Sequence, residues 1–163
     1  MEVAIRFIRK INAGRIVFGA TSLKVLNSYR QLTSKCTEAG GLLFGRHLLD
    51  CDHIAVDKLS TPQSGDIRER CYFFRGPQHQ KIAVRNWKSS NGTCAYLGNW
   101  HTHPEPNPTP SSTDLTDWRN ALSNDVFEGD TLYFVIVGTQ EISCWEGNRD
   151  SLEIKKLCPF NKG

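Results

Sequence analysis

The stretch that most constrains this chain is Asn99–Asp114, NWHTHPEPNPTPSSTD. It opens with the pattern of a strand, in which alternate side chains point the same way, so His101 and His103 face one side. A loop follows with proline at every second position: Pro104, Pro106, Pro108 and Pro110. Each proline fixes φ, so less entropy is lost when the loop orders. Ser111 and Asp114 close the stretch with the S-x-x-D spacing of a helix capping box, serine at the N-cap and the acid three residues on. The stiff loop therefore returns a helix start to the strand and brings a carboxylate toward two imidazoles. Two imidazoles and a carboxylate are the ligand set of a catalytic zinc site, with the fourth position left to water.

A lone H-x-H often belongs to an ordinary strand. H-x-H, seven residues, then S-x-x-D is more specific: at ordinary residue frequencies it arises by chance in roughly one chain in several thousand of this length. Zinc held by His101, His103 and Asp114 needs a neighbour to take a proton from its water, whose pKa the metal lowers toward about 7. A carboxylate does this and later protonates the leaving amine. Glu38, just ahead of Gly40-Gly41 and the apolar run Leu42-Leu43-Phe44, is the candidate. By itself a glutamate before a strand is ordinarily a surface residue, and its candidacy rests on the resemblance given below.

The rest of the chain reads as one domain, residues 1–163, of α/β class. Strands are expected at 2–8 and 15–18, joined by a turn at Asn12-Ala13-Gly14. A helix capped by Thr21 or Ser22 should carry Val25, Leu26, Tyr29 and Leu32 on one face. Gly40-Gly41 marks a turn or a close backbone approach, with Leu42–Phe44 a buried strand and 53–59 its hairpin neighbour. Ser60–Arg70 is polar and reads as a loop that orders on demand. Further strands are expected at 71–74, 93–103 (central), 131–138, 141–146 and 151–157 (the last edge), before a frayed tail. One helix should run from Pro77, its first residue, to Lys88 with Gly92 as its stop. Another should start at Ser111, with Leu115, Trp118 and Leu122 inward.

Composition excludes several classes. With 39% hydrophobic and 23% charged residues the chain is neither disordered nor membrane-spanning, and its N-terminus is too weakly apolar for a signal peptide. A cytoplasmic protein is expected, with its six cysteines as reduced thiols packed like small hydrophobes. No C-x-x-C occurs to suggest a zinc ribbon. The basic run Arg68, Arg70, Arg75, Lys81, Arg85 and Lys88 comes with no nucleic-acid motif, so nucleic acid is not an expected partner.

EAGGLLFG (38–45) followed by HTHPEPNPTPSSTD (101–114) resembles the JAMM, or MPN-plus, metalloprotease family in its compact prokaryotic JAB form. The resemblance implies a three-layer α/β domain, a mixed and partly curved sheet flanked by helices, cytidine-deaminase-like in architecture. It implies one Zn2+ on His101, His103 and Asp114 with water as fourth ligand, and Glu38 as general acid/base. It also implies that Ser111 hydrogen-bonds the oxyanion of the tetrahedral intermediate. GDIRERCYFFRG (65–76), with His79-Gln80 after it, is similar to a bacterial subgroup encoded beside ubiquitin-like activating and conjugating enzymes. Those enzymes occur in anti-phage islands (CBASS) with a cyclic-nucleotide synthase, a CD-NTase. The expected activity is deubiquitinase-like: cleavage after the extended C-terminal tail of a ubiquitin-like or conjugated protein. The alternatives are a JAMM peptidase that processes a sulfur-carrier precursor and a non-catalytic MPN binding module. A zinc deaminase would require H-x-E with P-C-x-x-C, and neither is present.

Overall fold

The computed structural model describes residues 4–161. Residues 2 and 3 of the first expected strand, and the last two residues of the expected tail, lie outside that range. Nine strands form one mixed sheet in the order β10-β9-β8-β7-β3-β4-β2-β1-β11. The strands are β1 (Ile5–Ile8), β2 (Arg15–Phe18), β3 (Gly40–His47), β4 (Ile54–Leu59), β7 (Ala95–Thr102), β8 (Thr131–Val137), β9 (Ile142–Asn148), β10 (Ile154–Lys156) and β11 (Cys158–Pro159). β2–β4 and β7–β8 are parallel and the other pairs antiparallel. The pairing shifts register at Leu43/Phe44 against β7 and at Phe44/Gly45 against β4, irregularities of the kind that bend a strand.

Strand alternation divides the core between the two faces. On β8, Tyr133, Val135 and Val137 join Phe18, Leu43, Trp100 and Leu26, the last from α1 (Ala20–Ser28). Leu132, Phe134 and Ile136 face the other way, onto Trp118, Ala121 and Leu122 of α3 (Ser112–Asn124). Helices therefore cover both faces, as the expected three layers require. β7 is central, between β3 and β8. Its Leu97 and Trp100 belong to the first face, which leaves Asn99 and His101 toward α3.

Several local expectations are corrected. The first helix is capped at Gly19 without a side-chain bond, because Ser22 lies inside it, buried, and its hydroxyl donates to Val56 O at 3.1 Å. That helix ends at Ser28, so Leu32 leaves the apolar stripe and is 69% exposed. Pro77 is the N-cap of α2 (Gln78–Ser89), not its first turn. Residues 60–70 are more than a loop, since β5 (Ile67–Glu69) pairs antiparallel with β6 (Tyr72–Phe74) in a separate hairpin. β10 is followed by β11, which pairs with β1 beyond the expected last edge. Of the cysteines, all free, Cys144 alone is buried, while Cys51, Cys71 and Cys158 are exposed. Gly40-Gly41 is a close approach inside β3: a Cβ on Gly40 would come within 2.6 Å of the Phe73 ring.

Candidate metal centre

His101 occupies β7, and His103 follows just past its end, with its N–H donated to Val137 O at 3.0 Å. The alternation expected from H-x-H thus survives the end of the strand. Their Nε2 atoms lie 3.0 Å apart. Asp114 meets both, with Oδ1 3.2 Å from His101 Nε2 and Oδ2 3.1 Å from His103 Nε2. Ligand atoms on a tetrahedral zinc, with bonds of about 2.0–2.1 Å, stand about 3.3–3.4 Å apart. The three donors therefore converge on one point with nearly that spacing, and the group is compatible with a metal site.

The prolines and the cap hold this arrangement. Ser111 Oγ accepts from Asp114 N–H at 3.1 Å, and Asp114 Oδ2 accepts from Ser111 N–H at 2.8 Å. The capping box therefore aims the carboxylate while fixing the helix start. The loop itself is tied to the β8–β9 turn, where Thr139 N–H donates to Glu105 O and Glu141 N–H to Pro106 O. Trp118 walls the site at 6.3 Å from His101, and its ring is stacked on Phe134 at 4.7 Å.

Five residues that sequence reasoning missed complete the setting: Glu105, Thr102, Gln31, Arg68 and Glu69. Glu105 Oε1 pairs with His103 Nδ1 at 2.8 Å and accepts from Thr109 N–H. With Nδ1 committed as a donor, Nε2 of His103 is left to face the other candidate ligands. Thr102 Oγ1 accepts from Ala39 N–H and donates to Gln31 Oε1. Arg68 Nε donates to Glu38 O at 2.8 Å, and Glu38 N–H donates to Glu69 O. Glu38 is thus pinned from the hairpin and from β7, between groups whose partners are far apart in sequence. Arg68 and Arg70 spend their guanidinium groups on backbone carbonyls of this chain. Only Glu105 left a legible trace, as a carboxylate two residues past the second histidine.

Electrostatics separates the roles. Glu38 is 5% exposed. Burial pushes its carboxyl up to about 7 against the opposing pull of His103, with Asp114 and Glu105 adding to the rise. Burial holds His101 below its ordinary value, with Asp114 opposing. For His103 the same burial is outweighed by Asp114 and Glu105, which raise it to about 9. Asp114 resists its own burial because both imidazoles and the Ser111 N–H hold it well below the usual carboxylate range.

The fold and this centre define a JAB-domain protein: residues 28–148 match the model of the prokaryotic homologs of the JAB domain, and the chain belongs to that family. It is 38% identical over 140 residues to the "CD-NTase/cGAS isopeptidase" of Vibrio cholerae, covering 83% of this chain and 81% of that protein. The protein of the same name from Escherichia coli is 37% identical over 133 residues, 81% of this chain and 80% of its own. In fold the chain is similar to a protein of Desulfitobacterium hafniense solved in solution. That likeness has a TM-score of 0.59 at 20% identity and covers 85% of this chain and 87% of the other. No described helix is long and apolar enough to cross a membrane.

Proposed function

We propose that the protein is a zinc-dependent isopeptidase of the JAMM type, acting as a single cytoplasmic domain. Its substrate is a CD-NTase-class nucleotidyltransferase joined through its C-terminal tail to another protein, and it reverses that conjugation in anti-phage defence. The observation that carries this reading is the convergence of His101 Nε2, His103 Nε2 and an Asp114 carboxylate oxygen, beside the buried carboxyl of Glu38. The relatives named as CD-NTase/cGAS isopeptidases support the choice of substrate.

His101, His103 and Asp114 would hold the zinc. Bound there, zinc supplies Lewis acidity, which activates water near neutral pH and polarises a carbonyl. Glu38 takes the proton of the attacking water and returns it to the leaving lysine amine, and a carboxyl near pH 7 suits both transfers. Ser111 Oγ already accepts from Asp114 N–H, so its own proton is free to be donated to the oxyanion. The tail lies extended, its main chain adding to the β5–β6 hairpin, whose two strands pair only with each other among the described strands.

The test is a CD-NTase from the same operon, fused through its C-terminal tail to a reporter protein. Intact mass is measured after incubation with the enzyme, with and without chelator. Cleavage at the junction, abolished by chelator and restored by about one zinc per chain, is expected. Cleavage that ignores the chelator, or a protein that takes up no zinc, overturns the reading.

A further inference from the structure

Asn99 is a buried polar group beside the centre that none of the roles above uses. It stands two residues before His101 on β7 and so shares its face. It is 1% exposed, and its Nδ2 has no hydrogen-bond partner among the described residues. The neighbouring Tyr96 hydroxyl donates to Asp125 Oδ2 at 2.8 Å and makes no hydrogen bond of acceptable geometry with the amide. A buried N–H without a partner costs its desolvation, and a leucine of nearly the same shape would avoid that cost. The amide makes sense where something else comes to meet it.

It lines a small cleft shared with His101, Asp114, Trp118, Phe73 and Arg75. The enclosed part admits one water-sized group. Arg75 has no ion pair or hydrogen bond among the described residues, and Asp117, on the same cleft, lies beyond ion-pair distance of it. The backbone of Arg75 is anchored between the end of β6 and Gly76, whose N–H donates to Asp66 Oδ1 at 2.7 Å. The floor is Trp118, which stacks on Phe134 at 4.7 Å and meets His101 edge-on at 6.3 Å. Two uncommitted donors thus line one small cleft, next to the candidate metal ligands.

We infer that Asn99 and Arg75 form a subsite for one hydrogen-bond acceptor oxygen of the substrate, borne by a residue next to the cut bond. The oxygen is a main-chain carbonyl or belongs to a short carboxylate or amide side chain. The inference rests on the peptidase reading for its substrate, although the unsatisfied amide is independent of it. Both groups are specificity determinants: they hold the substrate and do not touch the reacting proton.

The experiment compares Asn99→Leu and Arg75→Gln with the wild-type protein, all as full chains loaded with zinc. Three readouts are taken: zinc per chain, melting temperature, and KM and kcat on the CD-NTase tail fusion. Asn99→Leu should keep its zinc, melt higher than wild type, and lose about tenfold in kcat/KM through KM. Arg75→Gln should lose in KM likewise. Replacing the last residues of the tail by alanine, one at a time, then locates the oxygen. If one replacement abolishes the difference between wild type and Asn99→Leu, the oxygen is on that side chain; if the difference persists throughout, it is a main-chain carbonyl. A lower melting temperature in Asn99→Leu would mean that the amide is structural, and unchanged KM and kcat in both variants would mean that the cleft takes no substrate. Either result overturns the inference. A wild-type protein that binds no zinc and cuts no fusion overturns the peptidase reading and the substrate with it, while the melting comparison still decides whether Asn99 is structural.

Discussion

His79 and His103 each meet a carboxylate at 2.8 Å in a buried setting, and in the sequence nothing about either histidine alone tells them apart. Around His79 every group is spent. Leu42 N–H donates to Ser60 Oγ at 2.7 Å, so the serine proton goes to His79 Nδ1, also at 2.7 Å. The imidazole Nε2–H then goes to Asp66, which also accepts from Gln63 N–H and Gly76 N–H. Serine, histidine and aspartate stand in hydrolase-like order here, yet Ser60 and His79 are 3% and 2% exposed and the serine oxygen is already occupied. This cluster is a staple that closes residues 63–79 onto β3. Around His103 one nitrogen is spent on Glu105, and the other faces His101 and Asp114 with no donor assigned between them. The comparison teaches that residue types do not make a site. What matters is whether donor and acceptor counts close locally or leave lone pairs converging on one point.

The sharpest way to break the comparison is to remove the proposed proton carrier, Glu38, from one side only. Glu38→Gln should keep zinc and lose on the order of a thousandfold in turnover, because the amide cannot shuttle a proton. The same variant carries a pH signature in the metal-free protein. Burial raises the Glu38 carboxyl from 4.5 to about 7, so the native state prefers it protonated. That preference is fully met below about pH 4.5 and is lost as pH rises through 7. Glu38→Gln should therefore match wild type in melting at low pH and exceed it above pH 7, by ~3 kcal/mol in unfolding free energy. Turnover within a few-fold of wild type would assign the base elsewhere.

The staple should answer in the opposite way. Asp66→Ala strips His79 Nε2 and two backbone N–H groups of their acceptor inside a sealed space, and should cost about 3 kcal/mol of stability. Zinc per chain should stay at the wild-type value in the fraction that folds. Chemical denaturation and elemental analysis check both halves. Loss of zinc with stability intact would show that the two clusters are not independent.

How far the sequence could go follows from the range of each interaction. The capping box and the two histidines were legible because their geometry is local: three residues of helix start and two of strand set it. The layers were legible in the apolar patterns of β8 and α3. β6 was legible within the expected strand 71–74, but its partner β5 was not, because Ile67, Arg68 and Glu69 all leave their side chains exposed and give no buried alternation to read. The placement of Glu38 was not legible from its neighbours either, since it hangs on Arg68, Glu69 and Thr102 through bonds spanning 30 residues or more. Resemblance named that residue, and burial beside His103 supplies the physical reason to consider it. Three of the six cysteines departed from the packed thiols expected, because a thiol is small enough to sit on a surface without a partner, as Cys51, Cys71 and Cys158 do, whereas Cys144 is buried.

The subtlest prediction concerns Glu105, which makes His103 differ from His79 by fixing one nitrogen and leaving the other unspent. A carboxylate behind a ligating histidine sets its tautomer and ring angle, and losing such a partner weakens metal binding by roughly tenfold or more. The same carboxylate, after Asp114, helps raise His103 to about 9 in the metal-free protein, so near neutral pH a proton must leave before this nitrogen can bind a cation. Zinc affinity should accordingly rise with pH until about 9. Glu105→Ala acts on both terms: it frees the ring to turn, which weakens binding, and it lowers the His103 pKa, which eases the competition with protons. Above pH 9 only the first effect remains and the variant should bind zinc about tenfold more weakly than wild type. Near pH 7 the second offsets part of the first, so the two proteins should draw closer and the variant's affinity should depend less on pH. Competition titrations against a chromophoric chelator at pH 7 and pH 9.5 measure both slopes. Parallel curves would show that Glu105 has no hold on the His103 proton, and a wild-type affinity at pH 9.5 would show that it does not orient the ring.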